Sequence, residues 1–293
     1  MSFRTVVVRS RCKIETRLDY IVVRGEKESL IHISELGSLI IETPAVAITG
    51  QALLILARNN INVLFCDEKH SPALKTIPLY GNHATSGKVR DQARWEPHMK
   101  DSAWQELIRQ KLYWQVKVLR KYSHLEQADL IESYISQIKP GDFSNREGHA
   151  AKVYFNAHFG MGFTRRTQST INGMLNYGYR LIMSSVSREI VAAGFVTQLG
   201  IHHKNEANQF NLSCDIMEPF RPLVDAWVLK IEEDENFKDM VSQILSVKAK
   251  IGGKEFYLDA AIRRYVYCVL DYMSGEGDMP QIEKFILGEG DEL

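Results

Sequence analysis

Up to about residue 80 the chain alternates short β-branched runs with polar turns. Thr5-Val6-Val7-Val8, Tyr20-Ile21-Val22-Val23 and Leu30-Ile31-His32-Ile33 have the length and composition of strands, and Glu26-Lys27-Glu28-Ser29 is a polar turn between two of them. Leu39-Ile40-Ile41, Ala45-Val46-Ala47-Ile48 and Ile61-Asn62-Val63-Leu64-Phe65 continue the pattern, interrupted by one helical stretch over residues 51–58. The turn-rich segment Tyr80–Gly87 reads as a linker. From Asp101 onward the apolar period becomes helical: Trp104, Leu107, Ile108, Leu112 and Trp114 form a broad stripe. Further helices are expected near 144–159, 169–193, 216–231, 238–248 and 256–272. The pattern predicts an α+β protein, with a β-rich, sandwich-like domain over residues 1–90 and a larger all-α domain over 91–293.

Composition narrows the class. With 45% hydrophobic and 25% charged residues the chain is an ordinary globular one, large enough to bury a sizeable core. Cys12, Cys66, Cys214 and Cys268 have no zinc-like spacing and read as free thiols of a reducing compartment. No signal peptide or membrane span is visible, so a cytoplasmic location is expected. The net charge of zero conceals an asymmetry. Up to residue 230 there are 29 Lys/Arg against 22 Asp/Glu, and beyond it 7 against 14. Within 146–204, Arg146, Lys152, Arg165, Arg166, Arg180, Arg188 and Lys204 face only Glu147 and Glu189, a footprint suited to a phosphate backbone or to a solvated surface. The run Glu232-Glu233-Asp234-Glu235 reads as a solvated helix end.

Three segments of the helical half carry candidate chemistry. In the first, Glu147 opens a helix of small residues, and Ser144-x-x-Glu147 also fits a capping box. In the second, Gly200-Ile201-His202-His203-Lys204 places paired histidines in a loop, where a neutral imidazole is a good transition-metal ligand or an ordinary surface group. In the third, Asp215 and Glu218 are three residues apart and share a helix face, or form a second capping box with Pro219 in the first turn.

Taken in this order and at these intervals, the three segments resemble the CRISPR-associated spacer-integration endonuclease family, the large subunit of the CRISPR adaptation complex, in the form found in type II-A systems. The resemblance runs over nearly the whole chain. It is carried by Arg4–Val8, Ile31–Glu35 and Leu64–Pro72 at the start. In the helical half it is carried by Asn172-Gly173-Met174-Leu175-Asn176-Tyr177-Gly178-Tyr179 and Asp215–Asp225. The resemblance implies that Glu147, His203 and Glu218 hold Mg²⁺ or Mn²⁺, with His202 the alternative imidazole. Many relatives have Asp where this chain has Glu218. Asp215 is expected to steady a ligand or Lys204. It also implies a β domain that contributes dimerisation and DNA contact, a helical catalytic domain, a homodimer, and a small dimeric companion subunit bridging two such dimers. Other type II-A adaptation proteins would be further partners, and the DNA would be a double-stranded prespacer and the CRISPR repeat.

The expected reaction is attack of a DNA 3′-hydroxyl on a phosphodiester, with the cation acting as Lewis acid and template. Arg146, Lys152, Arg165, Arg166, Arg180 and Lys204 are candidates for phosphate contacts, and Asn172 and Tyr177 for positioning DNA. Two other classes stay open at this stage: a general metal-dependent DNA nuclease, and a non-enzymatic DNA-binding scaffold whose carboxylates only cap helices.

Overall fold

The computed structural model describes residues 4–68, 72–76, 84–231, 243–288 and 290–293. Its N-terminal part builds two four-stranded sheets. One joins β1 (Arg4–Val8), β5 (Leu36–Ile41), β7 (Asn62–Cys66) and β8 (Pro72–Lys75); the first three run parallel and β8 is antiparallel. The other places β4 (Glu28–His32), β3 (Tyr20–Arg24), β2 (Cys12–Arg17) and β6 (Val46–Ile48) side by side. Helix α1 (Gly50–Arg58), capped by the Thr49 hydroxyl accepting from Ala52 N, closes the layer. Ile14, Ile21, Leu39, Ile41, Leu56 and Val63 form its core.

All six residues of β5 are buried, because both faces of that strand are covered. Leu39 and Ile41 point into the N-terminal core, whereas Ile40 joins Leu64 and Cys66 in the core of the helical half. Alternation with a period of two thus divides one strand between two cores.

The helical half is organised around α3 (Pro97–Lys121), which starts on a proline at its first position and buries Trp104, Leu107, Ile108, Leu112 and Trp114. Around it lie α2 (Thr85–Ala93), α4 (Leu125–Ile135), α5 (Arg146–Phe159), α6 (Thr170–Ala192), α7 (Asn211–Ile216), α8 (Arg221–Val228) and α9 (Leu258–Met273). The α+β class and its order, sheets first and helices after, are as the hydrophobic pattern predicts.

Several details differ from the sequence reading. The polar stretch expected as a linker becomes helical from Thr85 onward, and its residues 80–83 lie outside the described residues. The helix expected near 238–248 falls partly outside them too; what is described there is a 3-10 turn over Gln243–Ser246 and strand β9 (Lys248–Ile251). With β10 (Lys254–Tyr257), β11 (Ile282–Gly288) and β12 (Asp291–Glu292) it forms an antiparallel sheet, so the C-terminal half is mostly rather than wholly helical. The alternating Lys248-Ala249-Lys250-Ile251, exposed to half-buried at one position and buried at the next, is a strand signal that the neighbouring helical composition masked. The expected 216–231 helix is not continuous: α7 ends at Ile216, a 3-10 turn covers Glu218–Phe220 and α8 follows, because Pro219 and Pro222 each remove a backbone donor. The acidic run at 232–235 lies outside the described residues. All four cysteines are free, with Cys12 and Cys66 buried.

One buried charge group ties the layers together. Arg188 on α6 donates to Glu189 Oε1 (2.8 Å), to Asp259 Oδ2 on α9 (2.8 Å) and to the Gly37 carbonyl on β5 (3.1 Å). Both acids are almost fully buried. Truncating one partner of such a group strands the others in a low dielectric. Arg188→Ala is therefore expected to cost about 3–5 kcal/mol in urea unfolding.

Candidate functional site

The three candidate ligands come from three separate elements. Glu147 sits in the first turn of α5, His203 in the loop after α6, and Glu218 in the 3-10 turn between α7 and α8. They meet at α3. The ammonium of Lys111, buried on α3, contacts Glu147 Oε1 and lies 2.6 Å from Glu218 Oε2. Glu218 Oε1 accepts from Arg221 Nε at 2.8 Å. Two carboxylates that are distant in sequence therefore share one cation in the interior.

Neither carboxylate acts as a helix cap. The start of α5 is capped by Asp142, whose two oxygens accept from Arg146 N and Glu147 N, each at 2.9 Å. The Ser144 hydroxyl, the expected cap, is buried without a hydrogen-bond partner, and Asn145 adopts a left-handed conformation with φ of 51°. Glu147 is thereby released to point across at Lys111. The capping-box reading of Asp215 and Glu218 fails as well. Asp215 is fully buried inside α7 and faces the histidine loop.

That loop is wrapped around Asp215. Its Oδ2 accepts from Ile201 N (2.6 Å) and His202 N (3.0 Å), and its Oδ1 accepts from His203 N (3.1 Å). Oδ1 also lies 2.5 Å from His203 Nδ1. This contact fixes the proton of a neutral His203 on Nδ1 and leaves the Nε2 lone pair free for a ligand. Asp215 thus steadies His203, one of the roles expected of it. His202 takes a different part: it stacks on Trp104 with ring centroids 4.1 Å apart and an interplanar angle of 3°. Trp104 and Lys111 lie seven residues apart on α3 and so share a face of it.

The protonation pattern follows from these contacts. Burial alone would raise the Glu218 carboxyl, but the Arg221 guanidinium and the Lys111 ammonium outweigh it and hold it at about 2. Burial would lower Lys111, and Glu147 and Glu218 together push it up instead. The hydrogen bond to Asp215 raises His203, whereas burial lowers His202. At neutral pH the centre holds ionised Glu218 and a charged Lys111, with His203 titrating above the ordinary imidazole range.

The donor chemistry suits a divalent cation: two carboxylates with one imidazole. Glu218 Oε2 is buried, with Lys111 Nζ as its charged neighbour at 2.6 Å. As placed, however, no three His, Cys, Asp or Glu side chains among the described residues stand close enough to hold a metal ion. The ammonium of Lys111 occupies the space between the carboxylates.

The other candidates divide into two groups. Lys152, Arg166 and Lys204 are exposed. Arg146 lies over the Tyr134 ring at 5.3 Å. Arg165 is held by Asn172 and by Asn176 Oδ1 (2.6 Å) and sits over Tyr179, so it is built into the fold. Asn172 is buried and its amide clamps the carbonyls of Thr164 and Thr167. Tyr177 donates to Glu42 Oε1 at 2.9 Å, far along the sequence, and Arg180 donates to the Pro72 carbonyl. Sequence reasoning missed Lys111, Arg221 and Trp104. The signal for Lys111 was present: a lone cation on the apolar stripe that contains Leu107, Ile108 and Leu112.

The histidine loop depends on Gly200. A Cβ there would lie 2.4 Å from the His203 carbonyl and 2.8 Å from Asp215 Oδ2. Gly200→Ala should therefore cost about 1–3 kcal/mol in chemical denaturation, as overpacking of a filled site does. It should also shift the His203 imidazole resonances, which a surface glycine would leave unchanged.

Comparison with known proteins follows the same lines. The family profile described as CRISPR associated protein Cas1 matches residues 5–247. The chain is 30% identical over 239 residues to the CRISPR-associated endonuclease Cas1 of Neisseria meningitidis serogroup C (strain 8013), covering 81% of this chain and 79% of that protein. Its fold is similar to that of a casposase bound to integration product, with a TM-score of 0.75 at 18% identity over 95% of this chain and 92% of the other. It is also similar to a chain of a Cas6-RT-Cas1–Cas2 complex, with a TM-score of 0.71 at 17% identity over 96% of this chain and 36% of that longer one. On the match over residues 5–247, this chain belongs to the Cas1 family of CRISPR-associated proteins.

Proposed function

We propose that this chain is a metal-dependent DNA integrase that inserts short DNA fragments into a CRISPR array, by attack of a DNA 3′-hydroxyl on a phosphodiester. The observation that carries the reading is the meeting of half-buried Glu147 and buried Glu218 on the one ammonium of Lys111, beside a histidine locked in one tautomer by Asp215. Glu147, His203 and Glu218 are the residues that would hold Mg²⁺ or Mn²⁺. When bound, the cation supplies Lewis-acid stabilisation of charge on the phosphate oxygens.

The chain's own residues do the rest. Arg221 keeps Glu218 ionised, so the carboxylate is ready to coordinate at any physiological pH. Asp215 holds the His203 proton on Nδ1. Lys111 neutralises the carboxylates, and with a cation held by them its ammonium would be free to turn toward a phosphate oxygen. Lys152, Arg166 and Lys204, all exposed, are the cations best placed to meet a DNA backbone. A homodimer bridged by a small dimeric companion fits the chemistry of integration, in which two strand ends must be joined at a fixed separation. The similarity to a chain of a Cas6-RT-Cas1–Cas2 complex supports such a companion. We place the reaction in the cytoplasm, on prespacer and repeat DNA. A general metal-dependent DNA nuclease is the second reading, since water could replace the 3′-hydroxyl at the same centre.

The decisive experiment joins a labelled duplex with free 3′-hydroxyl ends to a repeat-containing plasmid in Mn²⁺ or Mg²⁺, wild type beside His203→Ala. Joining should fall at least about 100-fold in His203→Ala, the scale of a lost transition-state interaction of several kcal/mol. Glu147→Gln and Glu218→Gln should behave alike with circular dichroism unchanged. Cutting without joining in the wild type would leave only the nuclease, and undiminished joining in all three variants would remove the metal site.

The pH dependence has a definite sign. His203 is raised by Asp215, so its charged form persists to higher pH than that of a free imidazole, for which the midpoint is about 6.5. Only the neutral ring can coordinate, so activity should decline as pH falls, and the decline should begin on the alkaline side of that value. NMR titration of the metal-free protein checks this directly; a His203 midpoint below that of free imidazole would contradict the role given to Asp215.

A further inference from the structure

A second cationic site lies away from the carboxylates, between β7–β8 and α6. A cavity of about 300 Å³ is lined by Lys75, Arg180, Phe210, Asp67, Leu64 and Met183 among others. That volume is at the small end of ligand pockets. The Lys75 ammonium is shut off from solvent and has no hydrogen-bond partner among the described residues. It lies over the Phe210 ring, with the centroid 4.6 Å away. Burial lowers its pKa to about 8, and no carboxylate opposes the effect, although Asp67 lines the same cavity. Arg180, on the same wall, gives one N–H to the Pro72 carbonyl at 3.2 Å. No carboxylate pairs with Arg180 among the described residues.

An uncompensated ammonium in an apolar wall is costly to fold around, and such cations are ordinarily paired. Among the described residues nothing pairs it, and a second cation, Arg180, lines the same cavity. From the geometry we infer that this cavity binds a phosphoryl group of a DNA strand, with Lys75 as the point charge and the free guanidinium donors of Arg180 as the directional partner. Phe210 gives the adjoining sugar or base an apolar surface. The placement has a consequence for the candidate active site. Phe210 immediately precedes α7, whose Asp215 holds His203, and Arg180 belongs to the helix that leads into the histidine loop. A strand seated in the cavity would be anchored on the segments that orient the imidazole. The inference rests on the reading that this chain handles DNA, and the same chemistry would accept a free phosphoryl group.

The test measures metal-free binding, so it stands apart from joining activity. Fluorescence anisotropy with a labelled duplex bearing single-stranded 3′ ends, in EDTA and across a KCl series, compares wild type with Lys75→Met and Arg180→Gln. Each variant should bind about tenfold more weakly at low salt, and the slope of log K against log salt should fall by about one contact. In calorimetry Lys75→Met should melt no lower than wild type, since it removes a stranded charge and keeps an apolar stem. In a parallel arm, millimolar inorganic phosphate is added and the wild-type melting temperature is followed. Protection that Lys75→Met abolishes, with DNA binding unaltered, would assign the site to a free phosphoryl group and overturn the strand assignment. Unchanged affinity and unchanged salt slope in both variants, without phosphate protection, would overturn the inference. So would a Lys75→Met protein that melts markedly lower, because the residue would then be structural. Wild-type protein that binds this DNA but never joins it would sink the integrase reading and leave the cavity assignment standing.

Discussion

Two carboxylates side by side near a protein surface repel one another, by about 4 kcal/mol at 4 Å in an effective dielectric near 20. Glu147 and Glu218 are brought together regardless, because α3 carries Lys111 to the point between them. Arg221 adds a second positive charge to Glu218 from only three residues away. The centre is therefore a compensated one, two acidic side chains against two basic ones. Under the proposed function a divalent cation would enter by exchange with an ammonium rather than by filling bare negative charge, and a phosphate that received Lys111 would favour that exchange, a coupling in the thermodynamic sense.

The imidazole is positioned by a different device. Asp215 is fully buried and accepts from three successive backbone N–H groups as well as the His203 ring. A carboxylate satisfied in this way has little freedom, and neither does the loop wound around it. Gly200 is what allows the wrap, since any side chain there would collide with the His203 carbonyl. His202 uses its ring differently, packing flat on Trp104 and pinning the other side of the loop to α3. Paired histidines that look equivalent in sequence are thus separated by what each ring meets.

The legible part of this protein was whatever short-range pattern controls. Strands of the first half, α3, α5 and α6 all follow from apolar period and turn residues. Glu147, His203 and Glu218 were singled out only as a set, through resemblance, because each segment alone fits a local capping or surface role. The true cap of α5, Asp142, was hidden by the more conventional Ser144-x-x-Glu147 pattern. Lys111 was overlooked because a lysine on a long helix is ordinarily solvated, and its burial is a tertiary fact. The C-terminal sheet was missed because its strands are short and flank α9, so helical composition dominated that window.

The basic and polar residues of α6 show how far a charge pattern can be read. Tyr177, Arg180, Ser184 and Arg188 recur at intervals of three and four residues and so share one helical face. That face meets the N-terminal sheets. Tyr177 donates to Glu42, Arg180 to the Pro72 carbonyl, Ser184 to Asn62 Oδ1 and Arg188 to the Gly37 carbonyl. Elsewhere on the helix, Tyr179 donates to the buried Asp225, and the guanidinium of Arg221 lies over its ring at 4.7 Å. Arg221 in turn holds Glu218. A row of polar side chains that sequence reading assigns partly to DNA is thus largely an internal strut. It links the strands of the first half to the guanidinium that keeps one candidate ligand ionised. The cations that the fold engages least are Lys152, Arg166 and Lys204 on the surface and Lys75 in its cavity, while Arg180 serves the strut with one N–H to the Pro72 carbonyl and lines that cavity as well.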